Sequence, residues 1–385
     1  MSRVPSPAPP SLPTLTDTAG PSRARLSSLD IARGLFLITS VTTVSVLPPR
    51  PEWLRHPPWF GVTVYDVIFP LFVTLSGVGL AFAYQNRPPA RVTARRVIVL
   101  IVVGVIYTAL FSGHTDLATL RLTGVLQLYA VLVLLSAMMH LVVRTARGWA
   151  LVTMGAALTL TVLYWWFASR CTIGVMSPDC NPSRIIDGAI LGEHMYAQGS
   201  RGHDPEGLVA IGGAFVTAAA GTTAGHIALA ARGRSSTVAR QALLRLCTWT
   251  VVCAMLGTLF ALIVEPFKRL WTPGFGLLTA ALGLLIFTVV FSVIDVQSSR
   301  RGAARRFDRL TWPLVALGRN SLLVYFGSHL LSAFLLRNGQ PSYAERIGSA
   351  LGWLGGPQLA FMLLSLALWW GAAMILHHLR IYVRP

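Results

Sequence analysis

The chain has 385 residues, of which 54% are hydrophobic and only 12% charged, with a formal net charge of +18. A soluble domain of this length needs far more polar surface, so the composition implies a bilayer as solvent. The basic residues are spread along the chain rather than gathered in one patch, which argues against a nucleic-acid partner.

Residues 1–26 are rich in Pro and Ser and poor in large apolar groups, the composition of a disordered cytoplasmic tail. The remainder, 27–380, reads as one membrane domain. Apolar runs follow at about 28–47, 64–84, 97–113, 122–142, 149–168, 208–231, 243–264, 273–295, 311–336 and 351–378. As helices, runs of about 20 residues cross a hydrocarbon core of roughly 30 Å. The expected fold is therefore all-α, a polytopic membrane helix bundle of about ten transmembrane helices. The third run is the shortest, and Gly318-Arg319-Asn320 interrupts the ninth. No signal-peptide pattern precedes the first run, which reads as an uncleaved anchor.

Most of the 32 Lys and Arg residues fall in the tails and in the connections near 85–96, 143–148, 232–246 and 298–310. The positive-inside rule then places both termini in the cytoplasm, and the charge excess is an orientation signal. The opposite face receives 48–63, 169–207 and 337–350, which are too long or too polar to be mere connectors. The segment 169–207 holds an apolar "IIDGAIL" and Tyr196, so a folded outer cap is expected there. Cys171 and Cys180 share that loop, where a disulfide is one of two readings. Cys247 and Cys253 lie in an apolar run and read as small apolar residues.

Several polar residues have structural readings beside functional ones. Thr63-x-x-Asp66 and Ser27-x-x-Asp30 both fit a capping box. In "DPEG", Asp204 can cap, Pro205 can open a helix and Glu206 can face its dipole. Arg55, Lys268 and Arg269 read as interfacial anchors, and His140, His226, His377 and His378 as interfacial histidines. Arg33 shares a helix face with Asp30. Asn320, Tyr325 and His329 trace either a structural hydrogen-bond network or a polar path through the bundle. His56 stands before Pro57, which favours an extended backbone, and beside Trp59 at a membrane mouth. An imidazole placed there can take a proton from an incoming nucleophile near neutral pH.

Four blocks in order carry a family resemblance: "RLSSLDIARG" (25–34), "HPPWFGVTVYDVIFPLFVTLSGVGLAF" (56–82), "IDGAILGEHMY" (186–196) with "DPEG" (204–207), and "GRNSLLVYFGSH" (318–329). Together they resemble the heparan-alpha-glucosaminide N-acetyltransferase group of transmembrane acyltransferases, including its bacterial members. The resemblance implies a bacterial cell membrane, an acyl-coenzyme A donor (acetyl-CoA) entering from the cytoplasm, and a glycan or amino-sugar acceptor at the outer face. It implies no metal, and a homodimer is compatible with it. His56 stands at the family's catalytic histidine, with Asp66 and Asn320 beside it as catalytic candidates. Trp59, Asp187, His194, Asp204, Glu206 and His329 are then the acceptor-side candidates, and Asp30, Arg33, Arg319 and Tyr325 the donor-side ones. The chain departs from the family where relatives carry an asparagine late in the first span: here stand Thr42, Thr43 and Ser45. A transporter of a small polar or sugar-like solute is the alternative. Transporters tend to show paired repeats with breaks in corresponding positions. Only one break, at 318–320, is visible here.

Overall fold

A computed structural model describes residues 26–112, 116–232, 234–296 and 303–383. The tail expected over 1–26 lies outside the described residues except for Leu26, which is buried. Among the described residues there are thirteen α-helices and no strand. In chain order they are α1 (Ser27–Val44), α2 (Val64–Ala83), α3 (Ala90–Ser112), α4 (Val125–Val142), α5 (Ala146–Ala168) and α6 (Pro182–Leu191). They continue as α7 (Leu208–Ala231), α8 (Ser236–Ile263), α9 (Pro273–Phe291), α10 (Ala303–Arg319), α11 (Ser321–Arg337), α12 (Tyr343–Ala350) and α13 (Pro357–His378). Eight of these are long and apolar enough to cross a membrane: α2, α3, α4, α5, α7, α8, α9 with the π-helical turn that extends it, and α13. The chain is a polytopic membrane helix bundle.

Burial separates the inner helices from the outer ones. Of the most apolar stretch of α2 and of α7, 72% is buried, against 17% in α3 and 22% in α5 and α13. The core is accordingly built on α1, α2, α7 and α9. The peripheral helices turn Ile106, Leu151, Leu158, Met255 and Leu368 outward, as side chains that face lipid tails do. α1 is only 18 residues long and carries Asp30, yet it is buried along most of its length among α2, α9, α10 and α11.

The ninth run resolves into two helices. Asn320 leaves helical geometry at φ −106°, ψ 23°, ending α10 and starting α11. Gly318 explains the tightness of the joint: a Cβ there would meet the Asp30 carbonyl oxygen at 1.8 Å. The connection expected at 298–310 is helical from Ala303 onward. The loop at 169–207 is folded, as expected. Cys171 and Cys180 are bridged, Asn181 caps α6 by accepting from Arg184 N at 2.8 Å, and Ala197 and His203 exchange backbone hydrogen bonds. All the connections after α1, α5, α8 and α11 fall at one end of the bundle, with His56; Asp30 and Arg319 mark the other end.

Candidate active site

The site begins with a loop pinned at Pro57 and Trp59. Pro57 and Pro58 follow His56, and three groups from elsewhere in the chain meet this segment. Arg269 Nη2 donates to the Pro57 carbonyl at 3.2 Å. Trp59 Nε1 donates to the Met176 carbonyl at 3.1 Å. The Trp59 ring also stands edge-on to His203, with centroids 5.4 Å apart. His203 in turn accepts from Arg269 Nη1 through Nε2 at 2.5 Å, while its Nδ1–H faces the Arg201 carbonyl at 3.2 Å. Burial, seconded by the Arg269 and Lys268 charges, holds the His203 imidazole below its ordinary pKa despite the Arg201 carbonyl. A neutral His203 is what lets it accept from a guanidinium. Arg269 is therefore a strut of this loop, where the sequence suggested only an interfacial anchor.

His56 then meets α2 at its first turn. Its Nδ1 lies 2.5 Å from Asp66 Oδ1. The other oxygen, Oδ2, accepts from both the backbone N–H and the hydroxyl of Thr63, each at 3.0 Å. One carboxylate thus caps the helix and orients the imidazole, so the capping reading of Asp66 holds and does not exclude a contact with His56. The Asp66 side chain is fully buried, whereas the His56 side chain is 44% exposed. With Nδ1–H given to Asp66, His56 Nε2 is the free lone pair, on a ring open to the outside. Tyr65 flanks it, ring centroids 4.7 Å apart.

Below this pair, a cavity of about 480 Å3 opens at the other end of the bundle. That volume is within the usual range of small-molecule sites. Asp30, Arg33, Arg319 and Tyr325, the donor-side candidates, all line it, together with Arg96 and Arg232. Its lining includes Phe69, one helical turn below Asp66. Arg319 Nε donates to Asp30 at 3.2 Å, and Arg33 Nη2 donates to the Leu75 carbonyl at 3.2 Å. Asp30 makes no cap, because Leu26 holds the cap position of α1 without a side-chain bond. Its carboxylate serves Arg319 instead. Among the described residues Arg96 Nε is buried without a hydrogen-bond partner, a donor set in the wall of the cavity. Arg96 and Arg232 carried only an orientation signal in the sequence, and nothing in their spacing tied them to a pocket.

The other candidates separate. Asn320 is fully buried at the α10–α11 joint, donating to the Ala316 and Ala373 carbonyls at 3.2 and 3.4 Å. This is the end of the bundle away from His56, so the structure does not bring it to the His56–Asp66 pair. His329 stacks on Tyr325 with centroids 4.3 Å apart, and Tyr325 stands against Phe72. Thr42 and Thr43 spend their hydroxyls on α1 carbonyls at 2.9 and 2.8 Å. Ser45, by contrast, is buried, and its hydroxyl has no partner among the described residues.

The folded 169–207 segment uses Asp187, Asp204 and Glu206 internally. α7 begins at Leu208 with Gly207 at the cap position, so Asp204 is not its cap. Asp204 instead binds Arg121 at 2.7 Å, the Tyr196 N–H at 2.8 Å and the Thr123 hydroxyl, and Glu206 takes the same guanidinium at 2.5 Å. Arg121, 83 residues from Asp204 in the chain, could not have been paired with it by any local pattern. His194 Nδ1 faces the Leu120 carbonyl at 2.8 Å, stitching that segment to the cap. The cap of α7 comes from α6: Asp187 Oδ1 accepts from Leu208 N at 2.7 Å and Val209 N at 3.4 Å, while Oδ2 accepts from Ser183 at 2.5 Å. Burial raises the Asp187 pKa, against the pull of those three donors. Asp187→Ala is expected to lower stability by about 1–3 kcal/mol, since it strands buried donors. Asp187→Asn, which keeps an acceptor, should lose less in the same thermal-unfolding series.

The fold and site define a class, a polytopic membrane protein with an imidazole–carboxylate pair at one mouth of the bundle and an arginine-rimmed cavity at the other. No protein-family model matches the chain. It is similar to heparan-alpha-glucosaminide N-acetyltransferase of Homo sapiens, 23% identical over 369 residues, covering 80% of this chain and 53% of that one. The Mus musculus protein of the same name is 23% identical over 379 residues, covering 83% and 55%. The chain spans about half the length of the curated relatives it matches.

Proposed function

We propose that the protein moves an acetyl group from a cytoplasmic acyl-coenzyme A to an amine or hydroxyl of a glycan or amino sugar at the opposite face. The observation that carries this reading is the pairing of His56 with Asp66 at the head of the same helix, α2, whose Phe69 and Phe72 wall the arginine-rimmed cavity. The names of the two relatives support the acetyl-transfer chemistry. The clustering of Arg33, Arg96, Arg232 and Arg319 supports the entry side, since guanidinium groups match phosphate oxygens well. The positive-inside rule makes that end cytoplasmic, in what the resemblance implies is a bacterial cell membrane.

In this reading the nucleotide end of the donor stays among the arginines and its thin pantetheine arm rises past Tyr325 toward Phe69. The acceptor comes to His56 from the other side. As its nitrogen or oxygen attacks the thioester carbon, His56 Nε2 takes its proton and Asp66 Oδ1 holds the imidazolium that forms. The C–S bond then breaks, and the coenzyme A sulfur leaves as thiolate and is protonated. Trp59 and Tyr65 wall the acceptor side. Glu206 and His194 are acceptor-side candidates at the rim, while Asp187 and Asp204 serve that side by holding the cap in shape.

Two measurements on detergent-purified protein test this: acetyl-CoA binding, then transfer of radiolabelled acetyl to a panel of amino sugars. Binding followed by transfer is the expected result, and protein that does not bind acetyl-CoA would overturn the reading. Arg96→Ala should weaken donor binding by about tenfold to a hundredfold, the value of a charge-assisted hydrogen bond. Its melting temperature should hold, because among the described residues Arg96 Nε has no hydrogen-bond partner to lose.

A further inference from the structure

A second cavity, of about 640 Å3, lies at the same end of the bundle as Asp30 and Arg319 but on a different flank. Its floor is α7, and its walls are the start of α5 and the first half of α8, which pack on α7 far more than on each other. Arg144, Arg147 and Arg245 stand around it, and its lining contains no acidic residue. Among the described residues, Arg147 and Arg245 have no ion-pair partner, and Arg144 donates only to the His140 carbonyl at 3.2 Å. The first turn of α5 adds the positive end of a 23-residue helix.

His226 gives a second and independent sign. It lines the cavity and is more than nine-tenths buried. Its Nε2 lies 3.2 Å from His140 Nε2. His140 Nδ1 is 2.7 Å from the Ser136 carbonyl and must carry a hydrogen to bond it. His140 Nε2 is therefore the acceptor of the pair and His226 Nε2–H the donor. That leaves His226 Nδ1 an acceptor with no partner among the described residues. These two histidines, read from the sequence as interfacial, are in fact a buried pair behind a basic cavity.

The surroundings say what kind of molecule reaches this place. Ala150, Ile227 and Val252 give the cavity apolar lining, and Leu151, Leu244, Val251 and Met255, close to them along α5 and α8, are exposed. A ligand here needs negative charge and a hydroxyl at one end and hydrocarbon behind them. We propose that the cavity seats an anionic phospholipid of the leaflet at this end. Its phosphodiester lies between Arg147, Arg245 and Arg144, a headgroup hydroxyl donates to His226 Nδ1, and the acyl chains run along the α5–α8 groove. Phosphatidylglycerol has that chemistry, with one negative charge and free hydroxyls.

Native mass spectrometry of the intact detergent-purified protein tests this with four probes: phosphatidylglycerol, phosphatidylcholine, inorganic phosphate and acetyl-CoA. Wild-type protein is expected to retain phosphatidylglycerol at least tenfold more tightly than phosphatidylcholine. The double variant Arg147→Ala/Arg245→Ala should lose about thirtyfold of that binding, near fivefold per arginine at a membrane surface. Both arginines are exposed, so the melting temperature of the lipid-free protein should not change. Equal retention of the two lipids by the wild type overturns the proposal, and needs no variant. Displacement of the lipid by inorganic phosphate would mark a soluble-phosphate site instead. Displacement by acetyl-CoA would mark a donor site and equally end the lipid reading, while loss of acetyl-CoA binding elsewhere would leave it standing.

Discussion

His56→Ala should lower acetyl transfer by about 10²–10⁴-fold, the usual worth of a positioned general base, while acetyl-CoA binding stays near wild type. The separation is expected because His56 is not among the residues lining the arginine-rimmed cavity. Stability should change little. Asp66 keeps its cap through Oδ2 and Thr63, and the half-exposed position of His56 lets water reach the vacated Oδ1. Asp66→Asn probes the same pair from the buried side. An amide whose nitrogen turns toward His56 donates where the carboxylate accepted. It would hold the wrong imidazole tautomer and take away Nε2 as a base. Transfer should fall with His56 still present, and Asp66→Ala should in addition lose about 1 kcal/mol of helix capping. Wild-type rates in His56→Ala would remove the base from the mechanism, whatever the donor assay said. A parallel loss of donor binding and transfer would instead make the loop structural.

How much of this could be read from the chain depends on how local each interaction is. The spans were legible because lipid-facing helices need long apolar runs, and Val64–Ala83 or Ala146–Ala168 can meet that need from their own residues. The Thr63–Asp66 box was legible because it closes over three residues. The same logic failed at Ser27-x-x-Asp30, where the identical pattern exists, and at the Asp cap offered by "DPEG": in both a distant partner wins. Arg319 takes Asp30 across 289 positions, and Arg121 takes Asp204 and Glu206 from the segment before α4. A buried carboxylate gains more from a guanidinium than from an exposed helix end, so tertiary pairing overrides local capping. The histidines divide in the same way. His56 could be singled out by its prolines and tryptophan, but the His140–His226 pair spans 86 residues and has no sequence signal beyond the two rings. The break at 318–320 was visible, and so was the position of Asn320 toward the cytoplasmic part of the run; what the sequence did not show is that its amide is spent on the Ala316 and Ala373 carbonyls at the joint, away from His56.

Gly221→Ala should lower the melting temperature by several degrees and reduce acetyl transfer, although the residue touches neither substrate side. A Cβ at Gly221 would stand 2.0 Å from the Thr74 carbonyl oxygen, and one at Gly77 would stand 2.0 Å from the Ala218 carbonyl oxygen. Thr222 ties the same crossing by donating to the Gly77 carbonyl at 3.2 Å. Between membrane helices there is little hydrophobic drive to hold two backbones together, so close contact over small residues supplies much of the attraction. A methyl group facing a backbone oxygen cannot be relieved by a rotamer change, so α2 and α7 must separate. Overpacking of this kind costs about 1–3 kcal/mol and sometimes more. The functional cost follows from what the two helices carry. α2 carries Asp66 in its first turn, and α7 is held at its start by Asp187, so their spacing sets the distance between the His56–Asp66 pair and the folded 169–207 segment. Gly155, in the middle of α5, is the control: a Cβ there would meet nothing within 4 Å. Gly155→Ala should therefore leave stability unchanged or raise it slightly, since alanine suits a helix better than glycine. If both variants melt together with wild-type activity, the α2–α7 crossing is looser than described and does not set the geometry of the site.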